Sequence, residues 1–230
     1  MKLQSIRFRN WNDVSLYLDS GYWRPTPSWF EHIIQHQSSY PIDAFTKGQL
    51  ASKSWLLDKL DKVRPLERWR IPPIVCLFGC WIGTIVEPLH KTFTIERIYG
   101  LDIDANAVEL SEKLNQKHVE DSWKYKGVVA DVSKLLTSNL EFETSGELIT
   151  VRPDWVINTS CEHMDNHWFE TADEKQLIIM QTNSSENFEG HINTCSSAED
   201  MQSKYPLKNV KYVGEMITPA YTRYMQIGYK

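Results

Sequence analysis

One stretch constrains this chain more than any other: Ile74 to Asp102, IVCLFGCWIGTIVEPLHKTFTIERIYGLD. An apolar run from Ile74 to Phe78 meets a glycine turn, Gly79-Cys80-Trp81-Ile82-Gly83, and then a short amphipathic segment. A second apolar run, Ile98 to Leu101, closes on Asp102. The pattern reads as strand, glycine-bearing loop, helix and strand, with a carboxylate at the end of the second strand. In an open parallel sheet, ligands bind beyond the carboxyl ends of the strands. Glycines there let the backbone approach a ligand closely, and a carboxylate can accept hydrogen bonds from both hydroxyls of a ribose. A nucleoside-containing cofactor is the guest this pattern fits.

The rest of the chain extends the same alternation. YPIDAFTKGQLASKSWLLDKL, punctuated by Pro41 and Gly48, predicts a helix from about Gln49 to Val63 that stops before Pro65. A charged connector, Arg64 to Pro73, leads into the first strand. After Asp102, IDANAVELSEKLN reads as a helix with Asp104 near its cap. YKGVVAD supplies a third strand ending at Asp131, and WVIN (Trp155 to Asn158) a fourth. Residues 132–153 read as a helical turn at Leu135-Leu136 followed by a polar loop around Gly146. EKQLIIMQTN gives a fifth strand, and SSENFEGHINTCSSAED a polar loop carrying His191. The terminal VKYVGEMITPAYTRYMQIGYK reads as two strands around TPAYT, an antiparallel hairpin. Residues 1–30 are rich in aromatics, with Ser28 placed to cap a short helix from Trp29. His32 and His36, four apart, would share a face of that helix.

Composition narrows the partners. The 230 residues suffice for one sizeable core, and the net charge of −5 gives no basic footprint for nucleic acid. A small-molecule partner is favoured, with a protein or nucleic-acid end group kept as the alternative. MKLQSIRFRN has no apolar core segment of a secretory signal, and no apolar run approaches a membrane span. Cys76, Cys80, Cys161 and Cys195 form no CxxC pair. Free thiols in a cytoplasmic protein are the simplest reading.

Gly79 and Gly83 on the loop, Asp102 and Asp131 at two strand ends and the terminal hairpin together resemble the class I S-adenosylmethionine-dependent methyltransferases. The resemblance implies an α/β fold with a Rossmann-like, mostly parallel sheet that finishes in an antiparallel hairpin. An N-terminal helical cap (1–70) would precede the core (71–230) in one compact unit. Dinucleotide-binding folds do not normally end in such a hairpin, so the topology favours S-adenosylmethionine over a nicotinamide cofactor. On this resemblance Gly79, Trp81 and Gly83 form the cofactor loop, Asp102 holds the ribose and Asp131 the adenine amino group. Asn158 stands where amino-methylating enzymes open an Asn-Pro-Pro-Tyr motif, but Thr159 and Ser160 replace the prolines.

Two positions depart from the family pattern. Leu77 stands where an acidic residue usually anchors the cofactor's amino-acid end, and Trp81 replaces the middle glycine. Glu87 is a candidate to replace the missing acid in part.

On the acceptor side, Glu162 and His163 match the Glu-His ending of the family's fourth-strand segment. Such a pair serves as a general base, as a structural hydrogen-bonding group, or, in ubiquinone-type and small-RNA 2′-O-methyltransferases, at a divalent metal. The upstream glutamate of that metal motif is absent, with Thr159 in its place; His167 and His191 are the histidines left to complete a site, and no metal is assigned. The reading is an S-adenosylmethionine-dependent methyltransferase with His163 and Glu162 as catalytic candidates. Leu77 and Trp81 keep open a fold that binds without catalysing. Aminocarboxypropyl transfer or a lyase reaction on the same cofactor is a further alternative.

Overall fold

The structure is a computed structural model that describes residues 32–33, 35–63, 71–186, 188–218 and 220–230. The expected cap at Ser28, the helix from Trp29 and most of the Arg64 to Pro73 connector lie outside the described residues.

Helix α1, Lys47–Val63, opens two residues before the expected start, with Thr46 Oγ1 accepting from the Gln49 N–H at 3.4 Å. Leu50, Leu56, Leu57 and Leu60 form its buried face. Strand β1, Ile74–Phe78, is followed by α2, Val86–Thr92, and β2, Arg97–Asp102. Helix α3, Ala105–Leu114, is capped by Asp104, whose side chain accepts from the Asn106 N–H, as its sequence position predicts. The short helix α4, Gln116–Glu120, leads to β3, Tyr125–Val129.

The polar loop expected in residues 132–153 is instead a hairpin, β4 Leu140–Thr144 and β5 Glu147–Val151. Ser145 and Gly146 both take positive φ, +55° and +78°, the signature of the two-residue turns whose twist matches antiparallel strands. The alternation is clean only in β4; in β5 Leu148 is 73% exposed, which blurs the period in the sequence. Strand β6, Trp155–Asn158, precedes α5, His167–Glu170, and β7, Leu177–Asn183. The polar loop after β7 ends in a further unexpected helix, α6 Ala198–Lys204, which Ser197 caps and which buries only Met201. Strands β8, Asn209–Ile217, and β9, Thr222–Tyr229, form the terminal antiparallel hairpin.

The seven-stranded sheet runs β3-β2-β1-β6-β7-β9-β8, parallel through β7, with β9 antiparallel to its neighbours. Successive residues of β1 face opposite sides. Val75 and Leu77 join Leu56, Leu57 and Leu60 of α1 in one core, while Cys76 and Phe78 join Trp168 and Tyr205 in the other. A third cluster clasps the cap to the loop after β1: Ile33, Tyr40, Phe45 and Leu50 pack with Ile82, Leu114 and the partly buried Trp81. His32 bonds Tyr40 Oη through Nε2 at 2.8 Å, next to His36 with ring centres 4.6 Å apart. All four cysteines are buried and free. Among the described residues, no helix is long and apolar enough to cross a membrane.

Candidate functional site

The sheet reverses its winding between β1 and β6, and a crevice opens at the carboxyl ends of the strands there. It holds a cavity of about 740 Å³ whose wall includes Gly79, Trp81, Asp102, Asp131, Glu162 and His163.

The nucleoside end is made by neighbouring strand termini. Asp102 Oδ2 accepts the Trp81 N–H at 2.7 Å and Oδ1 accepts the Asp104 N–H at 3.0 Å. The carboxylate is thus fixed in place, and each oxygen keeps a second lone-pair direction. Ile103 beside it is 71% exposed and lines the cavity, a flat apolar surface next to a ribose-type acceptor. Asp131 caps the turn Val132–Lys134, its Oδ1 accepting from the Ser133 hydroxyl at 2.6 Å and from the Ser133 N–H at 3.1 Å. The Ser133 hydroxyl, and behind it Lys134 at 3.0 Å, hold the Asp131 carboxyl below its ordinary range, so it stays an acceptor.

The loop after β1 gives each of its residues a different job. Gly79 takes φ +58°, and a Cβ there would lie 3.0 Å from the Cβ of Ser160, which also lines the cavity. Trp81 takes φ +48°, a conformation that costs a bulky residue about 1–2 kcal/mol. Its backbone serves Asp102 while its indole packs on the cap cluster. Gly83, at φ +64°, stands outside the wall; its carbonyl accepts from Asn115 Nδ2 at 3.1 Å, and a Cβ would lie 2.9 Å from that nitrogen. Leu77 is buried in the core below the loop. Asn158 lies beneath the wall as well, its amide engaged by the Ser160 N–H and by Met164 Sδ. Glu87 does not replace the missing acid. It is buried away from the cavity and bonds His118 Nε2 at 2.5 Å, with Lys91 at 3.7 Å.

At the acceptor end, the backbone carbonyl of Glu162 accepts from Ile192 N at 2.8 Å and Asn193 N at 3.1 Å. Those bonds pin the loop after β7 to the turn Cys161–His163 and bring His191 to His163, ring centres 4.6 Å apart at 82°. His163 Nδ1 faces the Gly190 carbonyl at 3.2 Å and His191 Nδ1 the Ser185 carbonyl at 2.6 Å. A carbonyl can only accept, so in each neutral ring Nδ1 carries the proton and Nε2 the lone pair. Glu162 is 3% exposed; its Oε1 accepts from Asn183 Nδ2 at 2.6 Å, and its buried Oε2 has no hydrogen-bond partner among the described residues. One ligand-type atom from each of Glu162, His163 and His191 lies within 4.8 Å of the others. His167 takes no part: it opens α5 and stands outside the wall.

Two cations complete the wall, and the sequence reading missed both. Lys53 on α1 is 8% exposed and donates to Gln49 Oε1 at 3.0 Å; burial, and then the charge of Arg223, push its pKa down to about 7. Arg223 on β9 is 4% exposed and donates to the Thr159 carbonyl at 3.2 Å. The signal for Lys53 was present: Leu50, Lys53, Leu57 and Leu60 share the helical spacing of a buried stripe, with one ammonium in it. Arg223 sits in a strand whose residues are nearly all buried, and nothing in its local pattern marks it.

No protein-family model matches the chain, and no curated protein does. Solved structures do match. One is magnesium protoporphyrin IX methyltransferase from Synechocystis PCC 6803 with bound S-adenosylhomocysteine: TM-score 0.53, 16% identity, over 79% of this chain and 84% of that one. Another is the N-methyltransferase NodS from Bradyrhizobium japonicum WM9 in complex with S-adenosylhomocysteine: TM-score 0.53, 8% identity, over 79% and 87%. A third is geranyl diphosphate methyltransferase in complex with its diphosphate and sinefungin: TM-score 0.54, 11% identity, over 79% and 78%. At these identities the likeness is one of fold, the Rossmann-like sheet with an antiparallel end that those enzymes share.

Proposed function

We propose that this chain, which carries the class I methyltransferase fold, binds S-adenosylmethionine in the crevice and transfers its methyl group to a small-molecule acceptor. One observation carries the reading: Asp102 and Asp131, at the ends of adjacent strands, share a cavity with the left-handed Gly79. The cofactor fits this wall. A Cβ at Gly79 would crowd Ser160, so the bare backbone keeps the approach open, and both carboxylates retain acceptor capacity. Two of the structural neighbours carry small-molecule acceptors in their names, which supports that class here.

When bound, the cofactor supplies a methyl carbon already made electrophilic by its sulfonium. The chain's work is then alignment and exclusion of water. Asp102 holds the ribose hydroxyls and Asp131 the adenine edge. His163 Nε2 is the lone pair available to accept a proton from an acceptor hydroxyl or ammonium, with His191 beside it. Glu162 stabilises the imidazolium that forms.

A second role for the same three groups is favoured by Glu162 Oε2, which has no hydrogen-bond partner among the described residues. Two imidazoles with Nδ1 tied to carbonyls and one buried carboxylate form a donor set suited to a divalent cation. A bound cation would acidify an acceptor hydroxyl there. Titration with Mn²⁺ or Zn²⁺ tests this, and one site lost in His191→Ala supports it.

Calorimetric titration of S-adenosylmethionine and S-adenosylhomocysteine into the wild type and Asp102→Asn tests the main reading. Micromolar binding, roughly −8 kcal/mol, that is lost in the variant is expected. Failure of both ligands to bind would overturn it and leave a methyltransferase fold without the chemistry, the outcome that Leu77 and Trp81 favour. Methylthioadenosine as product would redirect the reading to aminocarboxypropyl transfer or a lyase reaction.

A further inference from the structure

The cavity wall is electrically lopsided. Asp43, Asp102, Asp104, Asp131, Glu162 and Glu189 line it, and among the described wall residues Lys53 and Arg223 are the only lysine and arginine. Both are buried, and the charge of Arg223 adds to burial in disfavouring the charged form of Lys53. Arg223 has partial compensation from Glu162 Oε1 at 3.8 Å, beyond hydrogen-bond length, and that oxygen is already bonded to Asn183 at 2.6 Å. Its guanidinium is held in register by the Thr159 carbonyl at 3.2 Å, with Tyr221 Oη at 3.5 Å. The ammonium of Lys53 has three donors and, among the described residues, one bonded acceptor, the neutral amide of Gln49 at 3.0 Å. Glu162 nevertheless keeps the Arg223 charge favoured, whereas Lys53 has no ion-pair partner among the described residues. A buried ammonium of that kind is expensive unless a ligand brings a counter-charge.

We propose that Lys53 and Arg223 form a subsite for an anionic oxygen group, a carboxylate or phosphate, of a molecule bound in this cavity. Elsewhere the described wall carries Asp43, Asp102, Asp104, Asp131, Glu162 and Glu189, whose carboxylates repel such a group. Among the described wall residues, the lysine and arginine that can take an acid group lie on α1 and at the start of β9. There the ammonium supplies a point charge and the guanidinium a planar fork. Two sources offer this chemistry, the amino-acid carboxylate of the cofactor and an acid group on the acceptor. The subsite rests on the proposed function for the cofactor source alone.

The test uses Lys53→Met, which keeps the length of the stem, and Lys53→Arg, which restores the charge. In one arm, S-adenosylhomocysteine and its decarboxylated analogue are titrated into each protein. If the cofactor carboxylate is the occupant, the wild type prefers the intact ligand at least tenfold, Lys53→Met loses the preference and Lys53→Arg keeps most of it. In the other arm, sodium benzoate, inorganic phosphate and neutral benzamide are titrated with and without saturating S-adenosylhomocysteine. If the acceptor carries the acid, an anion binds at least tenfold more tightly than benzamide, and Lys53→Met abolishes the difference. The protein without S-adenosylhomocysteine still reports on the anion if the cofactor reading fails, so the two failures are distinguishable. The proposal is overturned if folded wild type shows no anion preference in either arm, or if Lys53→Met leaves each preference unchanged.

Discussion

Replacing Lys53 by Met removes a buried charge, and the consequence for stability can be worked out from its surroundings. Lys53 is 8% exposed, and burial, followed by the charge of Arg223, lowers its pKa from 10.5 to about 7. Between those two values the unfolded chain holds a proton at this position that the folded chain has released. Folding stability therefore rises with pH across the window from about 7 to 10.5, at about 1.4 kcal/mol per pH unit. Below pH 7 both states are charged and the contribution is flat at its least favourable level. From pH 6 to pH 9 the wild type gains about 3 kcal/mol from this one group, and Lys53→Met gains none of it. Every other titrating group is common to the two proteins and cancels in their difference. Urea unfolding at pH 6, 7, 8 and 9 should show Lys53→Met at its greatest relative advantage at pH 6, with the gap narrowing by about 3 kcal/mol at pH 9. A saturating anion at the subsite should flatten the wild-type slope by restoring the charged form. Parallel stability curves for the two proteins would refute the reasoning, because Lys53 would then keep its ordinary affinity for a proton in the fold.

Three further outcomes follow from contacts elsewhere. Gly100→Ala places a Cβ 2.4 Å from Tyr125 Oη, which bonds Ser111 Oγ at 2.7 Å; a loss of about 2–3 kcal/mol by denaturant unfolding is expected. Glu87→Ala strips His118 of a partner at 2.5 Å and should destabilise by about 3 kcal/mol, while calorimetry should find S-adenosylhomocysteine affinity unchanged. Once an acceptor is found, His163→Ala should lower kcat by about a hundredfold or more, and His167→Ala, outside the wall, should leave it within about twofold in steady-state assays.

Much of the fold is legible because its signals are local. The apolar runs of β1, β2, β6 and β7 mark strands buried on both faces, and Asp104 marks a helix start that its own side chain caps. Asp102 and Asp131 are readable for the same reason, since a residue ending an apolar run lies at a strand terminus whatever the rest of the chain does. The β4–β5 hairpin escaped because Leu148 faces solvent and breaks the period, although Ser145-Gly146 carried the turn. Helix α6 escaped because only Met201 is buried, leaving too little apolar spacing to mark it.

The sequence by itself determined the order of the seven main-sheet strands and of helices α1 and α3, the carboxylates at strand ends and the loop glycines. Tertiary structure decided which side chains those elements turn toward one another. His167, four residues from His163, stands apart, while distant His191 meets it because the Glu162 carbonyl ties down the loop after β7. Glu87, close to the loop in the chain, is committed to His118. Trp81 gives its backbone to Asp102 and its ring to the cap. Lys53 and Arg223, from opposite ends of the described chain, come to one cavity. Backbone periodicity is set by neighbours in the chain, but the placement of a buried charge is set by long-range packing that surrounds it on all sides.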